Sequence, residues 1–177
     1  DEESRRSPHA GHRSRLWGTP APSPTARRSR VDEPGPVLHP SRVHEVDVED
    51  EEGTRRLAEA LASLVEPGDV ILLEGGLGAG KTTFFRYVAR ALGVPEDEPV
   101  TSPTFALVHE YEARVPLVHA DLYRLGHPDE LHELGLADRV GVDAVAFVEW
   151  GEAHVAGLGR VDLRIRIAAR GDSRRFE

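Results

Sequence analysis

Eight consecutive residues, Gly75-Gly76-Leu77-Gly78-Ala79-Gly80-Lys81-Thr82, bring together the groups needed to hold a phosphate chain. They fit the pattern G-x-x-x-x-G-K-[ST] at every fixed position. Glycines let backbone N–H groups turn inward around phosphate oxygens, where a Cβ would intrude. A helix starting near Lys81 would aim its positive dipole end at the same anion. Lys81 supplies a mobile point charge for β- and γ-phosphates, and the Thr82 hydroxyl is a ligand for Mg²⁺. A plain turn between strand and helix would need neither Lys81 nor Thr82. The residues define a candidate nucleoside triphosphate site.

Such a loop requires a carboxylate to hold or orient Mg²⁺ and its waters. Two apolar runs end in acids: Leu117-Val118-His119-Ala120-Asp121 and Ala144-Val145-Ala146-Phe147-Val148-Glu149. In open α/β sheets, ligands bind beyond the carboxyl ends of the strands, so Asp121 and Glu149 are both candidates. Spacing alone leaves open which one touches the metal. Other chemistries are disfavoured. The Asn-Lys-x-Asp signature of guanine binding does not occur, and Asp121 has no Gly three residues on. Lys-Thr at the loop's end argues against dinucleotide binding. With no Cys and no His pair at zinc-helix spacing beside a Glu, a transition-metal site is disfavoured too. No Gly-x-Ser-x-Gly elbow is present for nucleophilic catalysis.

The elements that must position these groups follow from the apolar pattern. Residues 43–48 alternate as a half-buried strand. A helix is expected over 51–65, with Leu57, Leu61, Leu64 and Val65 on one face and Pro67-Gly68 as its stop. Val70–Leu73 reads as a parallel strand covered on both faces. The helix Lys81–Leu92 should turn Phe84, Phe85, Val88 and Leu92 inward and end at Gly93. Strands near 105–111 and 116–121 should pair antiparallel through 112–115. Pro128-Asp129-Glu130-Leu131 should open a short helix. A buried strand over 144–149 and an alternating edge strand over 161–168 complete an α/β protein.

Charge divides the chain. Residues 1–42 hold eight Arg against five acids, seven Pro, six Ser and one aromatic, Trp17, and read as a disordered tail or solvated linker. Residues 43–177, the expected folded domain, carry 14 basic and 26 acidic side chains and should repel a nucleic-acid backbone. The longest apolar run, Ala144 to Val148, is five residues, against about 20 for a membrane helix. Without Cys or a secretory signal, a cytoplasmic protein with no membrane partner is the economical reading. Met is absent even at position 1, which points to a processed, trimmed or fragment chain.

From Val43 to Phe176 the order of motifs resembles the TsaE (YjeE-type) ATPases of bacterial tRNA threonylcarbamoyladenosine biosynthesis. The loop is shared by many unrelated ATPases. The specific signal is Thr101-Ser102-Pro103-Thr104-Phe105, His119-Ala120-Asp121-Leu122-Tyr123-Arg124-Leu125, Glu130-Leu131 through Leu134-Gly135-Leu136, and Val148-Glu149-Trp150 after it. The resemblance implies a P-loop NTPase-like three-layer sandwich with a mainly parallel central sheet plus antiparallel strands. It implies an accessory ATPase that uses ATP and Mg²⁺ and assists a TsaD–TsaB complex, meeting tRNA only through that partner. By the same resemblance Thr82 and Glu149 would ligate Mg²⁺, with Lys81, Asp121 and Glu149 as catalytic groups. Gly78, Ala79, Gly80, Lys81, Thr82, Thr83, Thr104, Trp150 and Arg174 would bind the nucleotide. Ser102 to Phe105 would act as a switch segment, and Glu51 and Thr54 would flank the base. Gly76 stands where the family usually has Asp, and Gly151 replaces the usual Pro after Trp150. A small-molecule kinase and a nucleotide-gated binding module with negligible turnover remain as alternatives. The arginines between Gly93 and Trp150 are only Arg114, Arg124 and Arg139, which are too scattered for a kinase lid.

Overall fold

In the computed structural model, residues 43–127, 130–133 and 143–177 are described. The expected disordered tail lies outside them, as do Pro128, Asp129 and the Leu134-Gly135-Leu136 stretch. Among the described residues, no helix is long and apolar enough to cross a membrane.

The chain alternates as its pattern dictates. β1 (Val46–Val48) precedes α1 (Glu51–Ala62), where Asp50 caps the helix by accepting the Gly53 amide at 2.7 Å. β2 (Val70–Glu74) enters the glycine loop, and α2 (Lys81–Leu92) leaves it, ending at left-handed Gly93. β3 (Val108–Tyr111) and β4 (Leu117–Asp121) form an antiparallel pair. α3 (Glu130–Glu133), β5 (Val145–Glu149), a helical turn at Val155–Leu158, β6 (Leu163–Arg170) and β7 (Ser173–Phe176) follow.

Seven strands make one sheet in the order β1-β7-β6-β2-β5-β4-β3. Its centre, β6-β2-β5-β4, is parallel, while β3 on one side and β7 and β1 on the other are antiparallel. Strand alternation sorts the core onto two faces. Ile71, Leu73, Leu117, Val145 and Phe147 face α1 and α2, where Phe84, Phe85, Val88 and Leu92 are buried. Val70, Leu72, Val118, Ala146 and Val148 face the opposite layer, with Leu131 and Leu158. This is the expected three-layer α/β architecture. Counting along β4 and β5 in twos puts Asp121 and Glu149 on the α2 face, at the carboxyl ends of neighbouring parallel strands.

Several expectations change. β6 is an interior strand, paired with β2 and β7. Its alternation arises because one face is open to water, as the exposed Arg164 and Arg166 between buried Ile165 and Ile167 show, and not because it lies at an edge. α1 stops at Ala62, since Ser63 turns its amide and hydroxyl back onto the last carbonyls, leaving Leu64 74% exposed instead of packed. β1 begins at Val46, with Val43 outside it and exposed. β3 begins only at Val108, after a turn that leaves Phe105 in solvent.

Phe85 ties α2 to this sheet, its ring lying 5.2 Å from Phe147, 5.8 Å from Tyr111 and 4.0 Å from His119. Phe85→Ala is expected to cost about 3–5 kcal/mol in urea unfolding. A loss below about 1 kcal/mol would contradict this packing.

Candidate functional site

The glycine loop is shaped by close approach. Gly75 has φ +142°, and a Cβ there would come within 2.4 Å of the Ile167 carbonyl oxygen, so only Gly lets the chain leave β2 against β6. Gly80 caps α2 in the left-handed region at φ +107° with no side-chain bond, which leaves the first amides of the helix to the loop mouth. Lys81 is buried there. Its Nζ donates to the carbonyls of Gly75 (2.7 Å) and Gly76 (3.2 Å) and lies 3.8 Å above the Trp150 ring. Burial pushes the Lys81 ammonium below the usual lysine range, and the negative charges of Glu149, Glu152 and Asp121 oppose that shift.

The strand-end carboxylates are direct register partners, Asp121 opposite Glu149. Their own partners differ. Glu149 Oε1 accepts the Thr82 hydroxyl at 2.7 Å, which links β5 to the start of α2. Asp121 Oδ2 accepts the hydroxyls of Ser102 and Thr104, the latter at 2.9 Å, while its Oδ1 accepts the Tyr123 amide at 3.1 Å. The Thr101–Phe105 segment is therefore held to the site by Asp121. Thr82 and Glu149 bring two hard oxygen donors together beside the loop, a donor set that suits Mg²⁺.

Two cavities meet at Gly78, Ala79, Gly80 and Thr83. One, of about 370 Å³, is walled by Lys81, Thr82, Thr104, Asp121, Glu149 and Trp150. The other, of about 320 Å³, is walled by Asp50, Glu51, Thr54, Asp172 and Arg174. Of the residues expected at the site, Glu51, Thr54, Gly78 to Thr83, Ser102, Thr104, Asp121, Glu149, Trp150 and Arg174 line one cavity or the other. Arg174 is held at the β6–β7 turn by the carbonyls of Gly171 (3.0 Å) and Ser173 (2.8 Å). Trp150 is half-buried at φ +58°, with Tyr123 at 5.1 Å, so it faces the site and not the core. Phe105 does not enter the cavity. It is 87% exposed, with the Arg124 guanidinium 5.0 Å from its ring.

Sequence reasoning missed three neighbours. His119, quoted only within a motif, bonds Glu149 through Nε2 at 2.9 Å. A polar residue in the middle of an otherwise apolar strand was its signal. Tyr123 walls the cavity of about 370 Å³, on the side of Lys81 and Glu149. Glu74, the acid ending β2, is a third strand-end carboxylate, but it turns to Arg164 and Arg166, each at 3.0 Å, and serves the β2–β6 junction. The open loop position also has a clear geometry: a Cβ at Gly76 would meet nothing within 4 Å, so Asp would fit there as well as Gly.

A strand, glycine loop and helix beside carboxylates on the next parallel strands place the chain among P-loop proteins. A family model described as "Threonylcarbamoyl adenosine biosynthesis protein TsaE" matches residues 48–176, and the chain belongs to that family. It is 42% identical over 125 residues to the tRNA threonylcarbamoyladenosine biosynthesis protein TsaE of Bacillus subtilis, covering 70% of this chain and 77% of that one. It is 44% identical over 117 residues to the protein of the same name from Streptomyces coelicolor, covering 64% and 77%. The crystal structure of Bacillus subtilis YdiB superimposes with a TM-score of 0.60 at 33% identity, over 75% of this chain and 82% of that one.

Removing the Asp121 carboxylate should free the segment it holds. In Asp121→Ala, the Leu107 amide, which bonds the Pro103 carbonyl, should exchange about tenfold faster, from about 1.4 kcal/mol of lost charge-assisted hydrogen bonding, with β2 unchanged. Equal exchange in mutant and wild type would refute the clasp.

Proposed function

We propose that this chain binds Mg²⁺-ATP, hydrolyses it slowly, and serves tRNA threonylcarbamoyladenosine biosynthesis in the cytoplasm as the accessory of a TsaD–TsaB-type complex. The convergence of Lys81, Thr82, Asp121 and Glu149 on one cavity carries this reading. Family membership supports its place in the pathway.

The chain's own groups divide the work. Lys81 exchanges the carbonyls of Gly75 and Gly76 for phosphate oxygens, while the loop amides and the start of α2 receive the rest of the phosphate charge. Thr82 and Glu149 hold magnesium, which when bound neutralises phosphate charge and polarises the group to be transferred. Asp121 orients water at the end of the phosphate chain. It also senses, through Ser102 and Thr104, whether that end is filled. Glu51, Thr54 and Arg174 flank the base from the second cavity.

Slow turnover fits the cations available. Among the described residues, Lys81 is the only cationic side chain lining the phosphate-side cavity, and in this reading the partner supplies an arginine finger or an ordering contact. The acidic body, 14 basic against 26 acidic side chains over residues 43–177, suits a basic partner surface and leaves tRNA contact to that partner.

Phosphate release from ATP, alone and with TsaD and TsaB from the same source, tests the reading. Turnover should rise with the partners and vanish in Glu149→Ala. Intact ATP binding without stimulation would contradict the partnership. Lys81→Ala should weaken ATP binding by at least about 100-fold, as expected for losing charge-assisted bonds of about 1.5–3 kcal/mol each. Unchanged affinity would refute the phosphate-site assignment.

A further inference from the structure

His119 takes no part in the chemistry above, yet it is fully buried at the middle of β4. Its ring stacks on Phe85 of α2, with centroids 4.0 Å apart and planes at 27°, and its neighbour across β5 is Phe147. Nε2 lies 2.9 Å from Glu149 Oε1, the oxygen that also accepts the Thr82 hydroxyl. A carboxylate only accepts, so Nε2 carries the proton of this bond. Nδ1 has no partner among the described residues, and this network assigns the Nε2–H tautomer. Burying an imidazole with one unpartnered nitrogen costs free energy that an apolar side chain of similar size would avoid. The surrounding aromatic rings do not ask for a polar group. What the imidazole adds is one fixed N–H aimed at Glu149.

We propose that His119 is a positioning residue that fixes the Glu149 carboxylate, from inside the sheet, in the orientation needed to hold magnesium. This rests on the reading of Thr82 and Glu149 as the metal-binding pair. Glu149 Oε1 has two anchors of different kinds. Thr82 belongs to the loop end, where its hydroxyl exchanges partners as ligands arrive. His119 is locked between Phe85 and the sheet, so its bond to Oε1 persists through that exchange. Outer partners that orient ligating carboxylates typically change metal affinity by 10–100-fold when removed.

The test is a Mg²⁺ titration of ATP binding by calorimetry, in the full chain, for wild type, His119→Gln, His119→Asn and His119→Leu. The Gln amide reaches the place of Nε2, whereas the shorter Asn amide ends near the place of Nδ1 and cannot reach Glu149. Both variants bury the same amide group, and thermal unfolding of each measures the packing loss from the shorter Asn, which separates positioning from mere packing. Asn and Leu should raise the half-saturating Mg²⁺ concentration by about 10–100-fold, while Gln stays within about threefold of wild type. ATP affinity in EDTA should be the same in all four proteins. Gln and Asn variants with equal Mg²⁺ dependence would overturn the proposal, and this pair decides the matter even where the Leu variant does not fold. Glu149→Ala separates the two levels. If it abolishes Mg²⁺ dependence while His119→Asn matches wild type, only the role of His119 fails. If Glu149→Ala leaves the dependence intact, the metal-pair reading fails and the proposal with it.

Discussion

The hydrogen bond between Thr82 and Glu149 joins the start of α2 to the end of β5 at 2.7 Å, and the geometry of the site follows from what makes that bond possible. It requires the parallel register that sets Asp121 opposite Glu149. It also requires Gly75, whose missing Cβ lets the loop fold back against β6 and so brings Thr82 over the strand ends. The packing of Phe85 against Phe147 and His119 then keeps the helix at the right height above the sheet. Side chains far apart in sequence become one cluster because two helices and three strands are each held by ordinary apolar burial.

Charge explains why this cluster suits a cation and a polyphosphate together. Around Lys81 stand Glu149, Glu152 and Asp121, more negative charge than one ammonium can balance. The loop carbonyls and the Trp150 ring hold that ammonium in place. A phosphate chain entering alone would bring further negative charge against two strand-end carboxylates. A divalent ion on Thr82 and Glu149 would bring two positive charges against that excess. The Arg164 and Arg166 pairs take up the Glu74 carboxylate, so the third strand-end acid adds little to that excess.

Much of this was legible because some chemistry tolerates few residue types. The loop could be read residue by residue, and Asp121 and Glu149 stood out as acids ending apolar runs. Buried runs also announced β2, β4 and β5. What could not be read depends on partners distant in the chain. Ser173-Arg174-Arg175-Phe176 has no strand pattern, and it becomes β7 by pairing with β1 and β6. β6 looks like an edge from its alternation, although strands pair with both its sides, because alternation reports which face is wet and not how many neighbours are bonded. His119 and Glu74 took their roles from Glu149, Arg164 and Arg166, contacts that no local window contains.

The most direct test of the site is a crystal structure of the chain with Mg²⁺ and a non-hydrolysable ATP analogue. The ion should be coordinated by Thr82 Oγ1 and Glu149 at about 2.1 Å, and Lys81 Nζ should have left the Gly75 and Gly76 carbonyls for the terminal phosphates. An analogue bound away from the loop, or an ion held by other side chains with Lys81 still on those carbonyls, would contradict the account.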